Sequence, residues 1–140
     1  MAQRSMAEMV RRQDPAILPA AATVQEACAV MRDRKIGAML VTDRDGHLAG
    51  LFTGRDAVSR VIAEARDARK TTLGDVMTAQ PDTIGPSARA IVALRMMQDG
   101  GYRHLPIVDG DRIVGIISIG DFKGLDRARL DEETGFWEVL

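Results

Sequence analysis

Two short stretches combine residue types that can hold a sugar phosphate. They read GLFTGRD at residues 50–56 and GIISIGD at residues 115–121. In each, a glycine leads, a hydroxyl follows at Thr53 or Ser118, and a carboxylate stands three residues further on at Asp56 or Asp121. The glycine lets a backbone or a ligand come close. Each stretch lies where an apolar strand pattern runs out and a helix begins. There the hydroxyl and the first helical amides converge, and a helix start favours an anion. A carboxylate can accept both hydroxyls of a ribose, so Thr53 with Asp56, and Ser118 with Asp121, suit phosphate plus ribose. The same spacing also makes a helix cap, with Thr53 or Ser118 as N-cap and the acid in the first turn. Capping alone explains one such stretch. Its recurrence at equivalent places points to a ligand, and the two roles coexist.

Those places are equivalent because the chain is one unit written twice. Pro15 falls on Pro81, Ala27 on Ala93, Met31 on Met97 and Asp43 on Asp109. One extra residue in the first copy's turn (DRDGHLAG against DGDRIVG) resets the register, and Gly50 then falls on Gly115, Thr53 on Ser118 and Asp56 on Asp121. The copies span residues 6–70 and 71–128, with an acidic tail at 129–140 that ends FWEVL. Half a chain of this size buries its own apolar face poorly. The expectation is an α+β fold of two β-α-β-β-α repeats packed as a pseudo-twofold pair.

In the first copy, Ile17 and Leu18 are extended, residues 23–34 are helical, 38–41 and 47–52 are strands, and 55–69 form a long helix. In the second, residues 82–84 are extended and Pro86 and Ser87 open a helix that Gly100 and Gly101 end. RHLPIVD and RIVGIIS are strands about a turn at residues 109–111, and Gly120 and Asp121 begin another helix. Thr71 and Thr72 cap a short helix ahead of Asp75.

Composition narrows the function classes. Of 140 residues, 19 are basic and 20 acidic, a net charge of −1, so no chain-wide basic field attracts nucleic acid. Aromatic residues are only 4%, too few to build base-stacking platforms. No apolar run approaches the roughly 18 residues of a membrane span, and MAQRSMAEMV lacks a secretory pattern. The single Cys28 excludes an intrachain disulfide framework and agrees with a cytoplasmic setting. Cys28 and the methionines Met31, Met39, Met96 and Met97 read as packing. His47 and His104 stand too far apart for metal-ligand spacing, and no metal or other cofactor is expected. Phosphate-loop and dinucleotide glycine motifs are missing, as is a nucleophile motif, so the chain is not expected to be an enzyme.

The stretches YRHLPIVDGDRIVGIISIGDFKG and KIGAMLVTDRDGHLAGLFTGRDAV, with DVMTAQPDTI at the junction, resemble a tandem pair of cystathionine-β-synthase (CBS) domains, the Bateman module. The resemblance covers residues 6–125. It implies two clefts that take an adenosine compound such as AMP, ADP, ATP or S-adenosylmethionine. Asp56 and Asp121 would hold ribose hydroxyls, with Thr53 and Ser118 near ribose and phosphate. Thr83 and Ile84 would meet the base at the first motif, and Ile17 and Leu18 at the second. Ile36, Gly37 and Ala38 would flank the second motif's ligand. Arg103 and His104 stand where the family often places phosphate contacts, so the Ser118–Asp121 cleft should bind phosphorylated nucleotide better. His104 also fits a purely structural role. Arg55 would partly supply the other cleft. The family further implies a regulatory homodimer that acts on a partner protein whose identity the sequence does not give. The alternative is a ligand-free interaction scaffold using its dimer surface and the tail around Trp137.

Overall fold

The computed structural model describes residues 4–122. The tail at 129–140, and the helix expected past Asp121 beyond Phe122, lie outside them. The chain forms two compact units. They cut across the sequence copies: residues 4–13 group with Thr83–Asp109 and 114–122, while Asp14–Asp82 group with Gly110–Ile113.

The unit that carries the first motif is built on a four-stranded sheet in the order β1-β2-β3-β4. These are Ile17–Pro19, Ala38–Thr42, Leu48–Thr53 and Thr78–Ala79. Parallel pairing sets Ile17 against Leu40, antiparallel pairing sets Ala38 against Thr53, and Gly50 faces Ala79. Helix α2 (Val24–Arg34) begins where Thr23 accepts from the Glu26 amide at 3.2 Å and ends at Lys35, whose φ of 56° is left-handed. Its Val24, Ala27 and Met31 fall at helical spacing and are buried with Met39, Val41, Phe52 and Val61. A short helix α4 (Leu73–Val76) adds two more core residues at its ends.

The long helix expected over 55–69 is shorter. A single turn, α3 (Gly54–Asp56), runs into a π-helix at Ala57–Ile62 and stops. Ala65, with φ of 55°, takes the left-handed place after it. Within the π-helix only Val61 is buried, and the charged residues that follow have no apolar stripe to hold a helix against the core.

The other unit pairs β5 (His104–Asp109) with β6 (Arg112–Ser118). Helix α5 (Ala90–Gly100) covers them and ends at Gly101, whose φ is 71°. It starts later than expected, at Ala90 with Arg89 as N-cap. Of the extended stretch 82–84, Ile84 makes a parallel bridge to Ile107, with Ile84 N donating to the Pro106 carbonyl and Val108 N to the Ile84 carbonyl, both at 3.0 Å. Helix α1 (Met6–Met9) was not anticipated. Ser5 and Glu8 form a capping box around it. Ser5 bridges Arg89, and Met6 and Val10 are buried among Ile91, Leu94, Leu105 and Ile117.

Candidate ligand-binding motifs

The first motif turns sharply from β3 into α3. Asp56 folds back on Thr53, and its Oδ2 accepts from the Thr53 amide at 3.0 Å and from the Thr53 hydroxyl at 3.2 Å. In return the Thr53 hydroxyl accepts from the Asp56 amide at 3.2 Å. The other oxygen, Oδ1, accepts from the Thr78 hydroxyl at 3.4 Å and faces Arg60 Nε at 3.7 Å. Asp56 is only 8% exposed, so these partners replace most of its water.

The second motif has the same backbone and a different finish. Asp121 Oδ2 accepts from the Ser118 amide at 2.7 Å and the Ser118 hydroxyl at 3.2 Å, again a capping box. Among the described residues its Oδ1 takes no hydrogen bond, and Asp121 is exposed. Partial burial and the positive charge of Arg103 push His104 below its ordinary value, against a smaller opposing pull from Asp121. Arg103 is exposed, and its carbonyl accepts from the Ile119 amide at 2.9 Å. Ser118, Asp121, Arg103 and His104 thus share one corner of one unit.

Gly37, the residue that aligns with Arg103, closes the first motif in the same way, its carbonyl accepting from the Gly54 amide at 3.0 Å. Ile36, Gly37 and Ala38, expected beside the second motif, are therefore carried in the unit of the first, because β2 and β3 are neighbours in one sheet. Ile17 and Leu18 belong to that unit as well, and Thr83 and Ile84 to the other. Arg55 is exposed on α3.

The leading glycines serve the chain itself. A Cβ at Gly50 would lie 2.9 Å from the Thr78 carbonyl oxygen, and one at Gly115 would lie 2.7 Å from Gln13 Oε1. At both places a neighbouring segment presses on the strand. Gln13 takes this further, donating from Nε2 to the Ile116 carbonyl at 2.9 Å and accepting from the Ile116 amide at 2.7 Å. One side chain here does for β6 what β4 does for β3.

Sequence reading passed over Arg60 and Thr78. The spacing of Asp56 and Arg60, one helical turn apart, was the available signal for the first; Thr78 carried none. It also passed over the grouping of Asp43, Asp45 and His47 at the turn before β3, whose ligand-type atoms lie within 4.8 Å of one another. All three are exposed, and Asp43 Oδ1 accepts from the Asp45 and His47 amides, which accounts for the turn. Cys28 is half-buried, and burial pushes its thiol up, away from reactivity.

A family model described as "CBS domain" matches residues 7–63 and 73–126, once per copy. The chain belongs to the CBS-domain family. A CBS domain-containing protein of Arabidopsis thaliana, CBSCBSPB1, is 34% identical over 102 residues, covering 73% of this chain and 19% of the relative. The chain thus spans about a fifth of that relative's length. The CBS domain-containing protein YhcV of Bacillus subtilis is 35% identical over 99 residues, covering 71% of this chain and 69% of that one. Among solved structures, a CBS-domain containing protein from Agrobacterium tumefaciens is 30% identical with a TM-score of 0.78, covering 92% of this chain and 95% of its own. A CBS domain protein from Pyrobaculum aerophilum, complexed with AMP, is 22% identical with a TM-score of 0.84, covering 92% and 99%. These likenesses establish tandem CBS repeats of mixed α and β structure. Among the described residues no helix is long and apolar enough to cross a membrane.

Proposed function

We propose that this CBS pair is a regulatory sensor of adenosine compounds, with AMP, ADP, ATP and S-adenosylmethionine as candidate ligands, and that it performs no catalysis. The observation that carries the reading is the half-used carboxylate of Asp121. Ser118 fixes one oxygen, so the group is already oriented, and the other, without a hydrogen bond among the described residues, suits a pair of sugar hydroxyls. Charge-assisted hydrogen bonds of this kind are worth about 1.5–3 kcal/mol each. Arg103 and His104 stand beside it, where a phosphate on the same ligand would find a permanent cation and a histidine able to take a proton. That a protein of this fold holds AMP agrees with the assignment.

The same reading gives the first motif weaker binding, because Asp56 has no open oxygen and Gly37 supplies no charge where Arg103 does. A ligand signals only by favouring one arrangement of the protein over another. The output in this reading is a change of conformation or of assembly as a homodimer in the cytoplasm, passed to a partner protein.

Thermal melting with millimolar AMP, ATP or S-adenosylmethionine tests the assignment. At a hundredfold excess over Kd the folded chain gains about 2.7 kcal/mol, a rise on the order of 5–10 °C. Phosphate release from ATP should stay at background. No shift with any of the three compounds would overturn the reading.

A further inference from the structure

Arg60 is exposed by half, yet it is tied at two places. Its Nη1 donates to the Met77 carbonyl at 2.8 Å and the Val76 carbonyl at 3.3 Å, while its Nε faces Asp56 Oδ1 at 3.7 Å. Val76 and Met77 close α4 and lead directly into β4, whose Thr78 hydroxyl reaches the same Oδ1. One guanidinium therefore spans the motif's carboxylate and the stretch 76–78. That stretch lies just before the chain leaves this compact unit at Asp82 for Thr83.

We propose that Arg60 is a latch: it occupies the carboxylate oxygen that a ribose diol would need and, when displaced, frees the stretch 76–80. The latch rests on the adenosine-binding reading above and adds how the weaker motif reports its occupancy. A diol that takes Asp56 Oδ1 must push aside both Thr78 and the Arg60 side chain, because the buried carboxylate has no third face to offer. Arg60 then loses its counter-charge, and its hold on the two carbonyls weakens with it. The stretch then keeps the short pairing of β4 with Gly50 and Leu51 and the bond from the Gln80 amide to the Ala49 carbonyl. The latch sits on the π-helix at Ala57–Ile62, a form found as short insertions at functional places. Among the described residues the second motif shows no such device. In register, Leu125 stands where Arg60 does and Arg12 where Thr78 does, so neither an arginine nor a hydroxyl recurs.

Hydrogen exchange on the full chain tests this, with AMP as the probe and Asp121→Ala as background so that the first motif is read. Without ligand, Arg60→Met should speed exchange of the amides at 78–80 about tenfold. It should also tighten AMP about threefold, since a half-exposed ion pair is modest. Arg60→Lys keeps a charge near Asp56 but loses the fork; exchange should rise as in Arg60→Met while AMP affinity stays at the background level. In the background chain AMP should itself speed exchange at 78–80, and in Arg60→Met it should add nothing. Unchanged exchange in Arg60→Met, or AMP bound by the background chain without faster exchange, overturns the latch alone. AMP bound by the wild type and lost from the background chain also overturns it, and leaves the second motif's assignment standing. No AMP binding by any of these chains overturns both.

Discussion

At Asp56 both carboxylate oxygens have partners within the protein, whereas at Asp121 one oxygen is held and the other takes no hydrogen bond among the described residues. The backbone at the two places is nearly a copy: same capping box, same carbonyl closing the turn, same crowded glycine. The difference lies in side chains that the duplication does not share. Arg60 and Thr78 turn one carboxylate into an internal strut. Arg103 and His104 leave the other as an open acceptor beside positive charge. Duplicated geometry fixes where a group stands, and its neighbours decide whether that group serves stability or recognition.

The sharpest way to break this comparison is to remove each acid in turn. Asp121→Ala should weaken AMP roughly 10- to 100-fold by calorimetry, the loss of one or two charged hydrogen bonds, and Asp56→Ala should cost less. If Asp56→Ala proves the worse for binding, the ranking of the motifs is reversed. Stability should show the opposite order. Asp56→Ala strands Arg60 and Thr78 and should lower unfolding free energy by about 2–3 kcal/mol in urea. Asp121→Ala loses mainly a cap, about 1 kcal/mol.

Acid titration sharpens the contrast further, because only one of the two motifs has a histidine. His104 is held below its ordinary value of 6.5, so the unfolded chain binds its proton more readily. The stabilisation is complete above pH 6.5 and is lost as the pH falls below it. Melting temperature should drop from pH 7.5 to 5.5, and His104→Gln should flatten the slope. If His104 meets phosphate, AMP should bind more tightly at pH 6 than at pH 8, and the substitution should abolish that gain. With a structural histidine, wild type and His104→Gln should show the same pH dependence, set by the phosphate's own second pKa of about 6. The smallest effect concerns the strand edges: Gln13→Ala uncaps Ile116 and should cost about 1 kcal/mol without altering AMP affinity.

Much of this was legible before any coordinates. Both β-β pairs, α2, and α5 with its Gly101 stop follow from apolar runs and turn residues. The carboxylate-hydroxyl pairs came from their recurrence. The failures have physical causes. The run after Ile62 is rich in helix formers, yet it has no buried face, and propensity alone does not hold a surface helix. Ser5 and Glu8 spell a capping box that four residues of helix made easy to overlook. Thr78 reaches Asp56 across 22 positions of sequence, and no periodicity encodes a contact made by strand pairing.

Met6 and Val10 pack with residues of the second copy rather than with their own, and this constrains how the polypeptide can be made. As the chain emerges from a ribosome, Met6 and Val10 come out about a hundred residues ahead of their partners Leu105 and Ile117. The leading helix must wait unpartnered while about a hundred further residues are added, a long loop closure that slows folding. A fragment halted after the first copy would carry those two apolar side chains with nothing to cover them.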